Sequence, residues 1–279
     1  MIEELNVGSR TEASRTVVRF EGAGIPVYVA RAAGPLSSPP LSSPSSPSSL
    51  SPAQPSSPAS SPSSFAPLTV MVCSAIWSVT PHIEDLCNRL AREGFNAIAP
   101  CLFRNTGIPV RSAPPEVLAQ TFLDFDDRRC VRDLRAVMRA ARNGDLGFEP
   151  GRLVALGFCL GGRFAHTIAA LDNTLAGAVV FYGRLRFARQ ETKPFLPAEL
   201  TGLIEVPYLG HFAEFDPMIP LADVEELQSA LASRNVTHRI EIYKGARHGF
   251  VDPERPTEHD PEAAARAWQT TIEFLKGLA

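Results

Sequence analysis

The hexapeptide Gly157-Phe158-Cys159-Leu160-Gly161-Gly162 constrains this chain more than any other segment. The apolar run Leu153–Leu156 before it reads as a buried strand, and Arg163–Leu171 after it reads as a helix. One residue must then turn the chain sharply from sheet to helix. Flanking glycines permit this, because a residue without a Cβ allows unusual backbone angles and close backbone contact. Strand, glycine-flanked nucleophile and helix together make a nucleophile elbow, here with a thiol in place of the usual hydroxyl. A helix starting just after Cys159 aims free N–H groups and its positive dipole end at the sulfur, which favours thiolate. The competing reading of the motif alone is a buried structural cysteine in a glycine-rich turn, since free cysteine is often a core residue.

Two downstream segments weigh on that choice. The strand-like run Val206-Pro207-Tyr208-Leu209-Gly210-His211 leads into Phe212-Ala213-Glu214-Phe215-Asp216-Pro217, which puts an acid just past a strand. The run Arg239–Tyr243 leads into Lys244-Gly245-Ala246-Arg247-His248-Gly249-Phe250, which puts a histidine in the same relation to its own strand. Reactive loops of open α/β sheets gather at the carboxyl ends of the strands. Cys159, Asp216 and His248 can therefore converge, in the chain order nucleophile, acid, histidine. Singly, Asp216 reads as a turn residue and His248 as a loop histidine; order and context together favour a triad. His82 and His211 have no second ligand at metal spacing and read as polar loop packing.

Composition excludes several classes. The 279 residues are 44% hydrophobic with a formal net charge of −3 and no basic run, so neither nucleic acid nor an anionic membrane is an expected partner. Residues 1–10 are polar and acidic without an apolar core, unlike a secretory signal. No long apolar stretch suggests a membrane span. Five cysteines without a Cys-x-x-Cys pair suit a reduced, cytoplasmic chain without structural zinc.

A single domain over residues 1–279 is expected, with one interruption. Thr16–Phe20 and Pro26–Ala30 flank Gly22-Ala23-Gly24 as a hairpin. Residues 35–67 are dominated by serine and proline, which offer little to bury and few backbone donors. They are expected to form a disordered surface insertion, which a fold tolerates because closure entropy grows slowly with loop length. Beyond it, strands over Leu68–Cys73, Phe95–Ala99, Val154–Gly157, Ala178–Phe181, Val206–Gly210 and Ile240–Tyr243 alternate with helical patterns. The helices are Pro81–Arg92, two pieces within Pro115–Asn143, Arg163–Leu171, Leu221–Ser233 and Ala263–Leu278. Asp124–Arg129 is a charged break expected on a solvated surface. This alternation predicts an α/β fold, a mostly parallel central sheet covered by helices on both faces.

From about Ile25 onward the chain resembles the dienelactone hydrolase family of the α/β-hydrolase superfamily. The resemblance rests on the elbow, on Gly210–Pro220 with its acid and on Gly245–Phe250 with its histidine. It also includes Ile76-Trp77-Ser78-Val79-Thr80-Pro81-His82, Pro100–Arg104 and Phe181-Tyr182-Gly183. It implies Cys159 as nucleophile, His248 as general base and then acid, Asp216 as the group orienting His248, and an oxyanion hole from the Ile76 and Leu160 N–H groups. In that family a glutamate precedes the oxyanion-loop isoleucine and contacts the thiol; here that residue is Ala75. The founding substrate is a small lactone whose carboxylate is held by arginines. Arg104 matches one of them with a one-residue offset, and Asp252 stands at the other, where an acid is expected to disfavour carboxylates.

Tyr182 is a candidate substrate donor or a core tyrosine, and Trp77 and Phe103 are candidates to line the acyl pocket. The expected activity is hydrolysis of a small ester or lactone, of the carboxymethylenebutenolidase type, through a thioester acyl-enzyme. Acyl transfer or thioester hydrolysis by the same triad, and a non-catalytic binding protein of the same fold, are the alternatives. No cofactor and no metal are expected.

Overall fold

The computed structural model describes residues 12–32 and 67–279. The Ser/Pro-rich insertion expected at 35–67 falls outside these residues, apart from Pro67.

Strands β1 (Ala13–Phe20) and β2 (Ala23–Ala30) form an antiparallel hairpin. Its turn residues Glu21 and Gly22 have φ of 48° and 74°, the left-handed pair whose twist matches that of the flanking strands. β2 also pairs antiparallel with β4 (Asn96–Pro100). From there the sheet is parallel, through β3 (Thr69–Cys73), β5 (Leu153–Phe158), β6 (Gly177–Phe181), β7 (Tyr208–Phe215) and β8 (His238–Arg247). The eight strands lie in the order β1-β2-β4-β3-β5-β6-β7-β8. Every residue of β3, β4, β5 and β6 is buried, as expected for strands covered on both faces.

The order of strands places the site. The chain steps from β3 outward to β4 and then returns to β5 on the other side of β3. The loops leaving β3 and β5 therefore part company at a topological switch point, where a crevice opens outside the carboxyl ends of the strands.

Seven α-helices and one 3-10 turn (Thr201–Leu203) complete the described elements; the α-helices are α1 (Pro81–Arg92), α2 (Pro115–Asp124), α3 (Asp127–Arg142), α4 (Leu160–Leu171), the short α5 (Pro197–Leu200), α6 (Leu221–Ser233) and α7 (Pro261–Leu278). α1 buries Ile83, Leu86 and Leu90, the stripe its periodicity predicts. Two expectations are corrected. The charged break between α2 and α3 is not simply solvated: Phe125 is buried, Asp126 caps α3 by accepting from the Arg129 N–H at 3.0 Å, and Asp127 pairs with Arg163 at 2.9 Å. β7 also runs past Gly210, so His211 lies inside a strand and not on a loop.

α2 is unlike the other long helices because it buries no residue. It is held at its end by Lys193, whose buried Nζ donates to the carbonyls of Leu123 and Phe125, both at 2.7 Å. A cation on the last carbonyls of a helix satisfies orphan acceptors and complements the dipole. No helix among the described residues is long and apolar enough to cross a membrane.

Candidate active site

Cys159 occupies the turn between β5 and α4 with φ 52° and ψ −112°. A non-glycine residue in such a conformation costs about 1–3 kcal/mol, so its surroundings must impose it. Its N–H donates to the Phe181 carbonyl and its carbonyl accepts from the Arg163 N–H, both at 3.0 Å. The glycines let α4 press onto the sheet. A Cβ on Gly157 would lie 2.1 Å from the Gly161 oxygen, and one on Gly161 would lie 2.0 Å from the Cys73 oxygen. No side chain fits at either position, which is why the elbow reads so clearly in sequence.

Asp216 follows β7 and His248 follows β8, and the two meet. His248 Nδ1 lies 2.6 Å from Asp216 Oδ2, while Asp216 Oδ1 accepts from the Met218 N–H at 2.9 Å. Both side chains are buried. The Asp216 bond fixes Nδ1 as the donor nitrogen and leaves Nε2 for the sulfur. His248 Nε2 is buried and has no hydrogen-bond partner among the described residues.

The electrostatics bind this group into a unit. Burial alone would push the Cys159 thiol up. The charge of His248, the Leu160 N–H and the Arg255 guanidinium together bring the thiol below its ordinary range. Burial likewise pushes the His248 imidazole down, yet the Cys159 charge and the Asp216 bond carry it up to about 9. The two groups titrate as a pair that favours thiolate and imidazolium.

A cavity of about 540 Å³ opens above this pair. Cys159, His248, Ile76, Trp77 and Leu160 form its base, so the two expected oxyanion donors border the sulfur. Its roof is the apolar stripe of α2: Pro115, Leu118, Ala119, Phe122 and Leu123. Arg163, Arg184 and Arg255 also line it, and no acidic side chain among the described residues does.

Three expected substrate contacts fall differently. Trp77 lines the cavity. Tyr182 lies outside it, buried with its ring edge-on to His248 at 4.9 Å between centroids. Arg104 is turned away to Asp133, with Nε donating at 2.7 Å and Nη2 completing a bidentate pair. Phe103 is buried against Phe125 in the core and does not line the cavity. The Asp252 expectation is corrected as well. Asp252 is buried, pairs with Arg111 at 2.9 Å, and borders a separate small cavity of about 20 Å³ beside Ala75. Its charge is neutralised outside the main cavity.

Sequence reasoning missed Arg255 and the α2 roof. The roof had a signal, apolar residues at 115, 118, 119 and 122 with helical spacing, but that spacing also fits a buried helix. Arg255 had none, because its place depends on the fold of the loop beyond His248.

The profile of the dienelactone hydrolase family matches residues 57–279. A protein of Escherichia coli strain K12 named "putative carboxymethylenebutenolidase" is 35% identical over 209 residues, covering 74% of this chain and 76% of its own. A Bradyrhizobium protein named "probable 2-oxo-3-(5-oxofuran-2-ylidene)propanoate lactonase" is 29% identical over 208 residues, covering 74% and 82%. Among solved structures, a "putative dienelactone hydrolase" from Klebsiella pneumoniae superposes with a TM-score of 0.78 at 28% identity, covering 96% of this chain and 99% of the other. With the fold and the elbow in place, these matches settle the lineage: the chain is a hydrolase belonging to the dienelactone hydrolase family.

Proposed function

We propose that this hydrolase cleaves a small ester or lactone through a Cys159–His248–Asp216 triad and a thioester intermediate. The observation that carries the reading is the cavity that holds Cys159 and His248 together, with His248 bonded behind to Asp216. Cys159 Sγ attacks the carbonyl carbon as thiolate. The developing oxyanion is met by the N–H groups of Leu160 and Ile76, donors already fixed in place. Collapse of the tetrahedral species expels the alkoxide, which takes the proton from His248 Nε2. His248, now neutral, removes a proton from water; the hydroxide adds to the thioester, and the carboxylic acid leaves as the thiol pair is restored.

Arg184, which lines the cavity and pairs with no acid among the described residues, favours substrates with a carboxylate alongside the scissile ester. The lactone in the Bradyrhizobium relative's name carries one. Carboxylated lactones are therefore expected to be turned over at least as well as neutral ones, the reverse of what Asp252 suggests from sequence.

Acid quench during turnover of an aryl acetate, followed by mass spectrometry, tests the mechanism. An acetyl adduct on Cys159 is expected, and none in Cys159→Ala. Wild-type turnover by Cys159→Ala would sink the reading. Adduct formation without release of acetate would favour the binding-protein alternative, and faster release to an added alcohol or thiol than to water would favour acyl transfer.

A further inference from the structure

Arg255 lies seven residues beyond His248, in a loop that doubles back. Its N–H donates to the Asp252 carbonyl at 3.1 Å, and its own carbonyl accepts from the His259 N–H at 2.8 Å. The side chain returns to the active site. Nη1 donates to the His248 carbonyl at 3.2 Å, Nη2 pairs with Glu258 at 3.1 Å, and Cζ stands 5.4 Å from the Trp77 ring centroid. The same guanidinium lines the cavity that contains Cys159. Gly249 makes this approach possible: its φ is 88°, and a Cβ there would fall 2.4 Å from Arg255 Nη1.

One planar group thus touches the backbone of the general base and a ring adjacent in sequence to the oxyanion donor Ile76. We infer that Arg255 is a positioning residue that ties the histidine loop to the oxyanion loop and places a further positive charge in the cavity of the Cys159 sulfur, a role that rests on Cys159 being the nucleophile.

The neighbouring arginines do not substitute for it. Arg111 packs on the same Trp77 ring at 4.6 Å, but its nitrogens are committed to Asp252 and Glu254 and it lies outside the main cavity. Arg163 pairs with Asp127 through Nη2 only, leaving Nε and Nη1 buried without a hydrogen-bond partner among the described residues. It sits among the rings of Phe122, Phe164 and Phe187 and makes no hydrogen bond to the His248 backbone that Arg255 holds. The groups acting on the sulfur are His248 and Arg255 from the loop after β8, Arg163 and the Leu160 N–H from α4, and Tyr182 from the end of β6. Lysine would keep the charge but lose the fork that serves carbonyl, carboxylate and ring together.

The test pairs Arg255→Met with Arg255→Lys and reads two quantities: the pH profile of Cys159 alkylation by iodoacetamide, a neutral reagent, and kcat and KM on a neutral aryl ester and on its carboxylated analogue. For Arg255→Met the alkylation profile should move to higher pH and kcat should fall about 10–10²-fold, with KM nearly unchanged. For Arg255→Lys the profile should stay near that of the wild type while kcat still falls. An Arg255→Met variant with the wild-type profile and kcat would overturn the inference. So would one whose only defect is a raised KM for carboxylated substrates, because Arg255 would then be a substrate clamp. If Arg255→Met does not fold, an Arg255→Lys variant with undiminished kcat overturns it alone. Failure of the triad itself looks different: wild-type Cys159 would then alkylate only in the ordinary alkaline thiol range.

Discussion

His211, in the middle of β7, and His248, on the loop after β8, are both withdrawn from solvent, yet they are driven in opposite directions. His211 bonds to the Tyr243 hydroxyl at 2.9 Å and the Thr271 hydroxyl at 3.0 Å, and stacks on Phe181 at 4.3 Å. Burial among these neutral partners, with the Arg239 charge adding to it, pushes it down to about 3. Burial pushes His248 down too, but a thiolate and a carboxylate more than reverse it. Burial sets the starting penalty for both imidazoles, and the charge of the partner decides the outcome.

The largest expected effect breaks the two apart by function. His248→Ala should lower kcat by about 10²–10⁴-fold, the usual worth of a positioned acid–base group. His211→Asn should leave kcat within a few-fold while lowering the melting temperature, through a loss of about 1–3 kcal/mol for buried partners left unpaired. Steady-state kinetics and thermal melts on both variants separate the roles. A folded His211→Asn protein without activity would erase the contrast.

Asp216→Asn sharpens it next. An amide keeps the shape but removes one of the two anions, so His248 should titrate lower and kcat should fall by at least about tenfold. Histidine NMR reads the titration directly. An unmoved His248 resonance would mean that Cys159 alone supports the imidazolium.

These two histidines also predict opposite pH dependences of stability. His211 at about 3, and His166 at about 4 behind Tyr208 and Pro197, are depressed below the unfolded value. As pH falls below about 6.5 the unfolded chain takes up protons that the folded one refuses, so stability drops by about 1.4 kcal/mol per unit for each until the folded values are reached. His248 has the other sign: its contribution is complete below about 6.5 and is lost as pH rises through about 9. Melting temperature should therefore fall from pH 7 to pH 5 and the fall should flatten in His211→Asn. A flat wild-type profile over that range would contradict the buried neutral state.

How far the sequence reached follows from how local each signal is. The elbow was legible because Gly157 and Gly161 face backbone at about 2 Å, so only glycine fits. Asp216 and His248 were legible as a pair because both follow strands, and strand ends share an edge. The places of Arg104 and Asp252 were not legible, because their partners, Asp133 and Arg111, lie 29 and 141 residues away in the chain and no local pattern announces them. The β7 boundary failed because Phe212 and Ala213 continue the strand where Gly210 suggested an end.

Smaller effects test where the partner-charge argument stops. Asp252→Asn should change the ratio of carboxylated to neutral substrate turnover by less than about twofold, since Arg111 already neutralises Asp252 outside the cavity. A large swing would place its charge at the substrate after all. Smallest of all should be deletion of residues 35–66. Ala30 and Val70 both pair with Ala97, on its two sides, so the ends are about two strand spacings apart, roughly 10 Å. A short turn across that gap should leave melting temperature and turnover unchanged.

The unburied α2 has a consequence for how this enzyme can change. Substitutions in a packed core cost about 2–5 kcal/mol, whereas those at positions that bury little usually stay within about 0.5 kcal/mol. Leu160 and His248 in the base of the cavity are buried, whereas α2, its roof, buries nothing. New substrate preferences can therefore be sampled along Leu118 and Ala119 at little thermodynamic risk, whereas Phe122 packs against Phe187 and Arg163 and is held more tightly. Selection has a cheap handle on what enters the cavity and an expensive one on what happens inside it.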